Sequence, residues 1–264
     1  MSAPRPAARP SAKTGRAAGG SANKKTKATL TAEARDIVAS LKRLGSQRNR
    51  EGMARYAIPS DKAFGVSVGT IQQLAKRNGR NHELALALWD TGWYEARMMC
   101  AFLDEPERVT PAQMERWCRD FDNWAICDTL CFQLFDRTPH AFAKVKQWSQ
   151  RREEFEKRAA FALLASLAGH NKTAEDDAFF RCLPLIEEGA KDERNFVKKG
   201  VSWALRGIGR RNPKPHAAAV KLAQRLAASS NAAARWVGKD ALRDLTRPLV
   251  LKQLEKRSRS QIKQ

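Results

Sequence analysis

The sequence predicts an all-α fold, an α-solenoid of antiparallel helix pairs with a concave basic face. Three observations predict it. From Thr31 onward apolar residues recur at helical spacing, and the alternation that marks a strand is nearly absent. The helical segments are short, ~10–16 residues, with short links that make consecutive helices antiparallel neighbours. The excess of cations extends through the whole body of the chain.

The segments follow in order. Thr31 caps the first, over 31–44, and others lie over 68–78, 82–90 and 93–103. Thr110 before Pro111 opens 111–119, and Thr138 before Pro139 opens 139–148. In both, a hydroxyl accepts an orphan backbone N–H, and a proline at the first helical position has no N–H to leave unpaired. The segment 124–136 lies between them, and 153–168 comes after. Thr173 with Asp176 resembles a capping box at the start of 174–188, a segment that Pro184 kinks or splits. The helix over 194–209 ends at Gly207, Gly209 and Asn212-Pro213. Segments 214–227 and 231–244 complete the series. Two such helices with their turns fit the ~40-residue period of HEAT-like repeats, although no sharp repeat is visible in the residues. An irregular helical bundle is the alternative. The organisation is thus a disordered basic tail over 1–30, a solenoid domain over 31–245, and a basic extension over 246–264 that frays.

Of 264 residues 42% are apolar, enough for a substantial core and too many for a disordered chain. The formal charge is +21. Residues 1–30 hold seven cations and no acid, which leaves +14 on the remainder. A basic body implies a polyanionic partner, and nucleic acid is the commonest; a solubilising surface or contact with anionic lipid are the bland readings. The tail reads as a DNA tether in preference to an organelle transit peptide, because its prolines and glycines interrupt any amphipathic helix. The five cysteines (100, 118, 127, 131, 182) form no CxxC pair and no disulfide spacing, which suggests reduced thiols and a cytoplasmic, nucleoid-associated protein. The four scattered histidines argue against a structural zinc. No apolar run approaches a membrane span and no secretory leader is seen.

Three helices carry candidate chemistry. On 194–209 the apolar stripe is Phe196, Val197, Gly200, Val201, Ala204, Leu205 and Ile208. Lys199, Trp203, Arg206 and Arg210 occupy the other side, displaying a tryptophan among three cations. A lone tryptophan is ordinarily core; interleaved with cations, it suits a phosphate backbone and its sugars. On 124–136, Trp124 and Asp128 are spaced i,i+4, on one face and one turn apart. An isolated aspartate is ordinarily a cap or ion-pair partner. Beside an aromatic ring and among apolar neighbours, it is also fit to stabilise positive charge, which the ring face itself attracts by ~0.5–2 kcal/mol. On 153–168, the stripe Phe155, Ala159, Leu163 and Leu167 leaves Arg158 off the core beside Ala162 and Ala165, with room for a close-approaching ligand.

These segments resemble the HEAT-like DNA glycosylases of the DNA alkylation repair (AlkC/AlkD) family, the AlkD-like branch in particular. The matching pieces are MARY at 53–56, LWD at 88–90, NWAICDT at 123–129, KRAAF at 157–161 and VSWALR at 201–206, in the family's order and within roughly residues 35–245. None is specific alone; the ordered set is. The resemblance implies that Trp124, Asp128 and Trp203 form the active site. It implies that Arg158 touches the DNA backbone near the lesion, and that Tyr56 and Arg206 lie along the DNA surface. The residue after the first tryptophan, often acidic in relatives, is Ala125 here.

The activity so implied is hydrolysis of the N-glycosidic bond of cationic N3- or N7-alkylated purines in duplex DNA. No metal or other cofactor takes part, and an abasic site is left. A cationic base is already a good leaving group, so the demand falls on the oxocarbenium-like sugar, as in glycoside hydrolysis. Asp128 stabilises that cation and guides water, and Trp124 and Trp203 hold the sugar. Arg158, Lys199, Arg206 and Arg210 hold phosphates, which positions the duplex without reading sequence. The family can leave the base stacked, whereas most base-modifying enzymes flip it. The expected partner is double-stranded DNA containing alkylated bases, met by a monomer with no obligate protein partner and no membrane. Two alternatives are a non-catalytic helical-repeat nucleic-acid-binding protein and a protein-interaction solenoid.

Overall fold

The computed structural model describes residues 26–261. The helices in chain order are α1 (Lys27–Leu44), α2 (Gln47–Gly52), α3 (Val68–Asn78), α4 (His82–Trp89), α5 (Tyr94–Leu103), α6 (Pro111–Arg119), α7 (Trp124–Gln133) and α8 (Ala141–Trp148). They continue with α9 (Glu154–His170), α10 (Asp176–Phe180), α11 (Leu183–Gly189), α12 (Asn195–Gly209), α13 (Pro213–Ala227), α14 (Ala232–Leu245) and α15 (Pro248–Gln261). No strand occurs among the described residues.

The helices stack in two layers. In one, α5, α7, α9, α12 and α14 each pack against the next, with α3 against α5 at the beginning. In the other, α4, α8, α11 and α13 back onto α5, α9, α12 and α14. Consecutive pairs therefore form the repeat, and the fold is an α-solenoid of HEAT-like character. Helix α9 is sandwiched from both sides, so every residue from Arg158 to Ala168 is buried. A helix that is apolar nearly all round belongs in such a position. In the second layer, Trp89 stacks on Trp117 with ring centroids 4.2 Å apart, and Trp117, Phe135 and Trp148 continue the contact. Each such pair contributes ~0.5–1.5 kcal/mol beyond its buried area.

Local chemistry explains most helix starts. Thr110 accepts from the Gln113 N–H with Pro111 in the first turn, and Asn81, Asn123 and Asn231 cap α4, α7 and α14 in the same way. Other expectations are corrected. Helix α1 starts at Lys27 with Thr26 as its cap, so part of the expected tail is helical; residues 1–25 lie outside the described residues. The Thr138 hydroxyl donates back to the Phe135 carbonyl, and α8 begins only at Ala141. Thr173 bonds the Asn171 side chain and caps nothing. The 174–188 segment is two helices, with Pro184 in the first turn of the second, where its missing N–H costs nothing. Helix α7 stops at Gln133 and passes into a 3-10 turn over Phe135–Arg137. The extension beyond residue 245 forms α15, which buries Val250 and Leu254.

The link between α1 and α3, where no helix was expected, holds α2 and a 3-10 turn over Met53–Tyr56. Gly65 closes this segment at φ 78°, and a Cβ there would lie 2.2 Å from the Ser46 carbonyl oxygen. One Glu95 carboxylate oxygen, fully buried, accepts from the backbone N–H groups of Phe64, Gly65 and Val66 at 2.9, 2.7 and 3.2 Å. That clamp fixes the segment against the stack, beside the start of α7.

Candidate functional site

Helices α7, α9 and α12 are consecutive in one layer, and they bring the sequence-predicted residues onto one face. The Asn123 cap starts α7 at Trp124, so Trp124, Asp128 and Phe132 line up at successive turns. Trp124 is half-buried, and its indole N–H donates to the Tyr56 carbonyl at 2.7 Å. The ring is thereby fixed, and the MARY turn is pinned to it. Ala125 packs with Met53, Ile58 and Ala63 in a small separate core. An acidic side chain at this position would be buried among apolar groups, which accounts for the alanine.

Asp128 and Arg158 form a bidentate pair. Arg158 Nε and Nη2 donate to the two carboxylate oxygens at 2.9 and 2.7 Å, and Nη1 donates to the Phe196 carbonyl at 2.7 Å. The side chains are only 15% and 8% exposed. One guanidinium thus ties α7, α9 and α12 together. Burial, the larger effect, holds the Asp128 carboxyl above the ordinary carboxylate value, against the pull of Arg158. Burial also opposes the Arg158 charge, but its hydrogen bonds to Asp128 and the carboxylate's charge outweigh it and raise its pKa.

Beside this pair opens a cleft of about 400 Å³, walled by Arg55, Tyr56, Ala57, Trp124, Arg158, Asn195, Phe196 and Lys199. Tyr56 is 64% exposed and Lys199 is exposed. Asp128 stands immediately behind the wall, through Arg158. Two readings of the sequence change here. Phe196, assigned to the core stripe, turns to the cleft, with the Arg158 guanidinium 5.9 Å from its ring centre. The space beside Ala162 and Ala165 is no ligand site: both are buried, and Gly200 and Gly207 bring α12 close against α9.

Farther along α12 the expected exposed face is only partly exposed. Trp203 is half-buried and stacks on Phe132, centroids 4.6 Å apart and 9° from parallel. It stands two turns from Phe196, beside the cleft, and is not in its wall. Arg206 is half-buried, bonds the Ser202 carbonyl and lies 3.9 Å from Asp240. Arg210 makes two hydrogen bonds to Asp244 at 2.6 and 3.0 Å, joining α12 to α14. Of the three cations on that face, Lys199 alone forms no ion pair among the described residues, and it lines the cleft.

Several participants escaped the sequence reading. Phe132 supplies the surface for Trp203, and its ring also meets His170 edge-on at 5.4 Å. His170 is held by the buried Asp136 at 2.6 Å, which also accepts from Ser166 at 2.5 Å. The only available signal for Phe132 was its i+8 spacing from Trp124. Nothing in the sequence pairs His170 with a residue 34 positions away. All five cysteines are free and buried, and among the described residues no group of three or more His, Cys, Asp or Glu side chains is placed to hold a metal.

Comparisons with known proteins add to this geometry. No curated protein matches the chain. It is similar to a solved structure described as belonging to a new family of proteins related to the HEAT-like repeat DNA glycosylases with affinity for branched DNA structures. Identity is 19%, the TM-score is 0.64, and the match covers 79% of this chain and 94% of the other. At that identity the likeness concerns the fold. A second similar structure, smu.31 from Streptococcus mutans UA159, has 17% identity, a TM-score of 0.48, and coverage of 81% and 96%. The model of the DNA alkylation repair enzyme family matches residues 37–245, most of the chain including α7, α9 and α12, and the chain belongs to that family.

Proposed function

We propose that this protein is a monofunctional alkylpurine DNA glycosylase, acting on cationic N3- or N7-alkylated purines in duplex DNA. The observation that carries the reading is the Asp128 carboxylate, held behind a cleft walled by an aromatic ring and cations. Loss of a cationic base leaves an electron-poor sugar. A carboxylate in a low-dielectric setting stabilises that charge more than one in water does. The fixed Trp124 ring supplies a face for the sugar, and Lys199 and Arg55 supply charge for phosphates at the cleft. A backbone phosphate is also a competing partner for the Arg158 fork. When it takes the guanidinium, a carboxylate oxygen is freed to orient water.

A second reading has one observation in its favour. In the free protein both Asp128 oxygens are engaged by Arg158, an arrangement equally suited to a structural ion pair. A chain that kept the DNA surface without the chemistry would bind DNA and release nothing.

Release of 7-methylguanine or 3-methyladenine from methylated duplex DNA tests the choice. Asp128→Asn is expected to lower release by about 10²–10³-fold while the folded protein still binds DNA. Burial raises the Asp128 carboxyl, so release is expected to fall on acidification from a point above the ordinary carboxylate value. Wild-type release by Asp128→Asn would remove the proposed role.

A further inference from the structure

The next helix of the layer, α14, carries a partly exposed tryptophan, Trp236, that belongs neither to the hydrophobic core nor to the wall of the cleft. Trp236 is 37% exposed, whereas Trp89, Trp117 and Trp148 are fully buried. The Lys198 ammonium lies 5.3 Å from its ring centre. The position of Trp236 follows from its neighbours. Asp240, one turn onward, accepts from Ser202 of α12 at 2.6 Å and faces Arg206. Trp236 therefore rides the seam between α12 and α14, on the side where Arg206 emerges. Lys199, the neighbour of Lys198, walls the Trp124 cleft, so the two places adjoin.

The cations of this region divide into two sets. Arg206, Arg210 and Arg243 are matched by Asp240 and Asp244. Among the described residues, Lys198, Lys199 and Lys239 meet no carboxylate at ion-pair distance. Lys239 lies one turn from Trp236 and is exposed. A π-face with unbalanced ammonium groups around it matches the two parts of a nucleotide, the base and its phosphate. A base within a duplex has both faces covered by its neighbours, and an unpaired one does not. The chain's own N-terminal segment is no occupant, since residues 1–25 carry cations and no acid.

We propose that Trp236, with Lys198, Lys199 and Lys239, is a stacking site for an unpaired nucleotide on the DNA strand running past the Trp124 cleft. The site rests on the DNA-binding part of the reading above and is independent of base removal. The test measures binding of the full-length protein to a fully paired duplex, and to the same duplex carrying a short single-stranded gap beside the central position. Wild type is expected to favour the gapped DNA. Trp236→Ala is expected to lose about 5- to 100-fold affinity for it, with a much smaller change on the paired duplex. Trp236→Phe, which keeps a π-face and guards against misfolding, retains most of the preference. Lys198→Ala lowers the salt slope by about one. An equal loss on both DNAs, or no loss on either, overturns the proposal. Base release from methylated paired duplex is scored separately. If wild type releases no base while the Trp236-dependent preference holds, the glycosylase reading falls and the nucleotide site stands.

Discussion

Replacing Arg158 by methionine tests the arrangement at the centre of this molecule. The substitution keeps an apolar stem and removes a guanidinium that serves three helices. It leaves the Asp128 carboxylate, 15% exposed, without its partner, and takes from the Phe196 carbonyl its side-chain donor. Removing one member of a buried pair costs about 3–5 kcal/mol, because the surviving charge is stranded. For a domain of this size each kcal/mol moves Tm by about 2–4 °C, so a fall of about 6–20 °C is expected. The penalty also has a pH signature. Burial already raises the Asp128 carboxyl, and loss of the arginine raises it further. A carboxyl whose folded pKa exceeds its unfolded one withdraws stability as pH rises through that interval. The gap between variant and wild type should therefore narrow on acidification. In Arg158→Met/Asp128→Leu no charge is stranded, and most of the lost stability should return. Thermal unfolding followed by circular dichroism across pH measures all three. A single-variant loss below about 1 kcal/mol, or a double variant as unstable as the single, would refute the reasoning.

Asp192 has the opposite sign: hydrogen bonds from Arg194 and Lys157 hold its carboxyl well below the ordinary value. Its contribution is present above the unfolded pKa and lost as pH falls through the folded one, so Asp192→Asn should flatten the acid limb of a stability–pH curve. Gly238 faces the α13 backbone, where a Cβ would lie 2.2 Å from the Ala227 nitrogen. Gly238→Ala must separate α13 from α14, and denaturant unfolding should record a loss of about 1–3 kcal/mol.

Much of the fold was legible in the residues, because helix formation is local. Val68–Asn78 and Pro111–Arg119 begin and end where periodicity and caps put them. Helix starts failed where a hydroxyl had a competing partner, as when Thr138 turned back to the Phe135 carbonyl. The link over 45–67 was unreadable because what orders it is a carboxylate 30 residues away, Glu95. In the candidate site, spacing alone put Trp124 and Asp128 on one face. It could not show that Arg158 would occupy both Asp128 oxygens, or that Trp203 would lie flat on Phe132.

The sequence by itself determined an all-helical chain with a basic body and a tryptophan and an aspartate one turn apart, since these depend on residue identity and a 3.6-residue period. Only the tertiary structure decided which charges are free. Arg206, Arg210 and Lys199 share one helical face in the sequence, yet the two arginines are matched by carboxylates of α14 and Lys199 is left at the cleft. Electrostatic pairing acts through space over a few ångströms, and its partners here lie more than thirty residues apart.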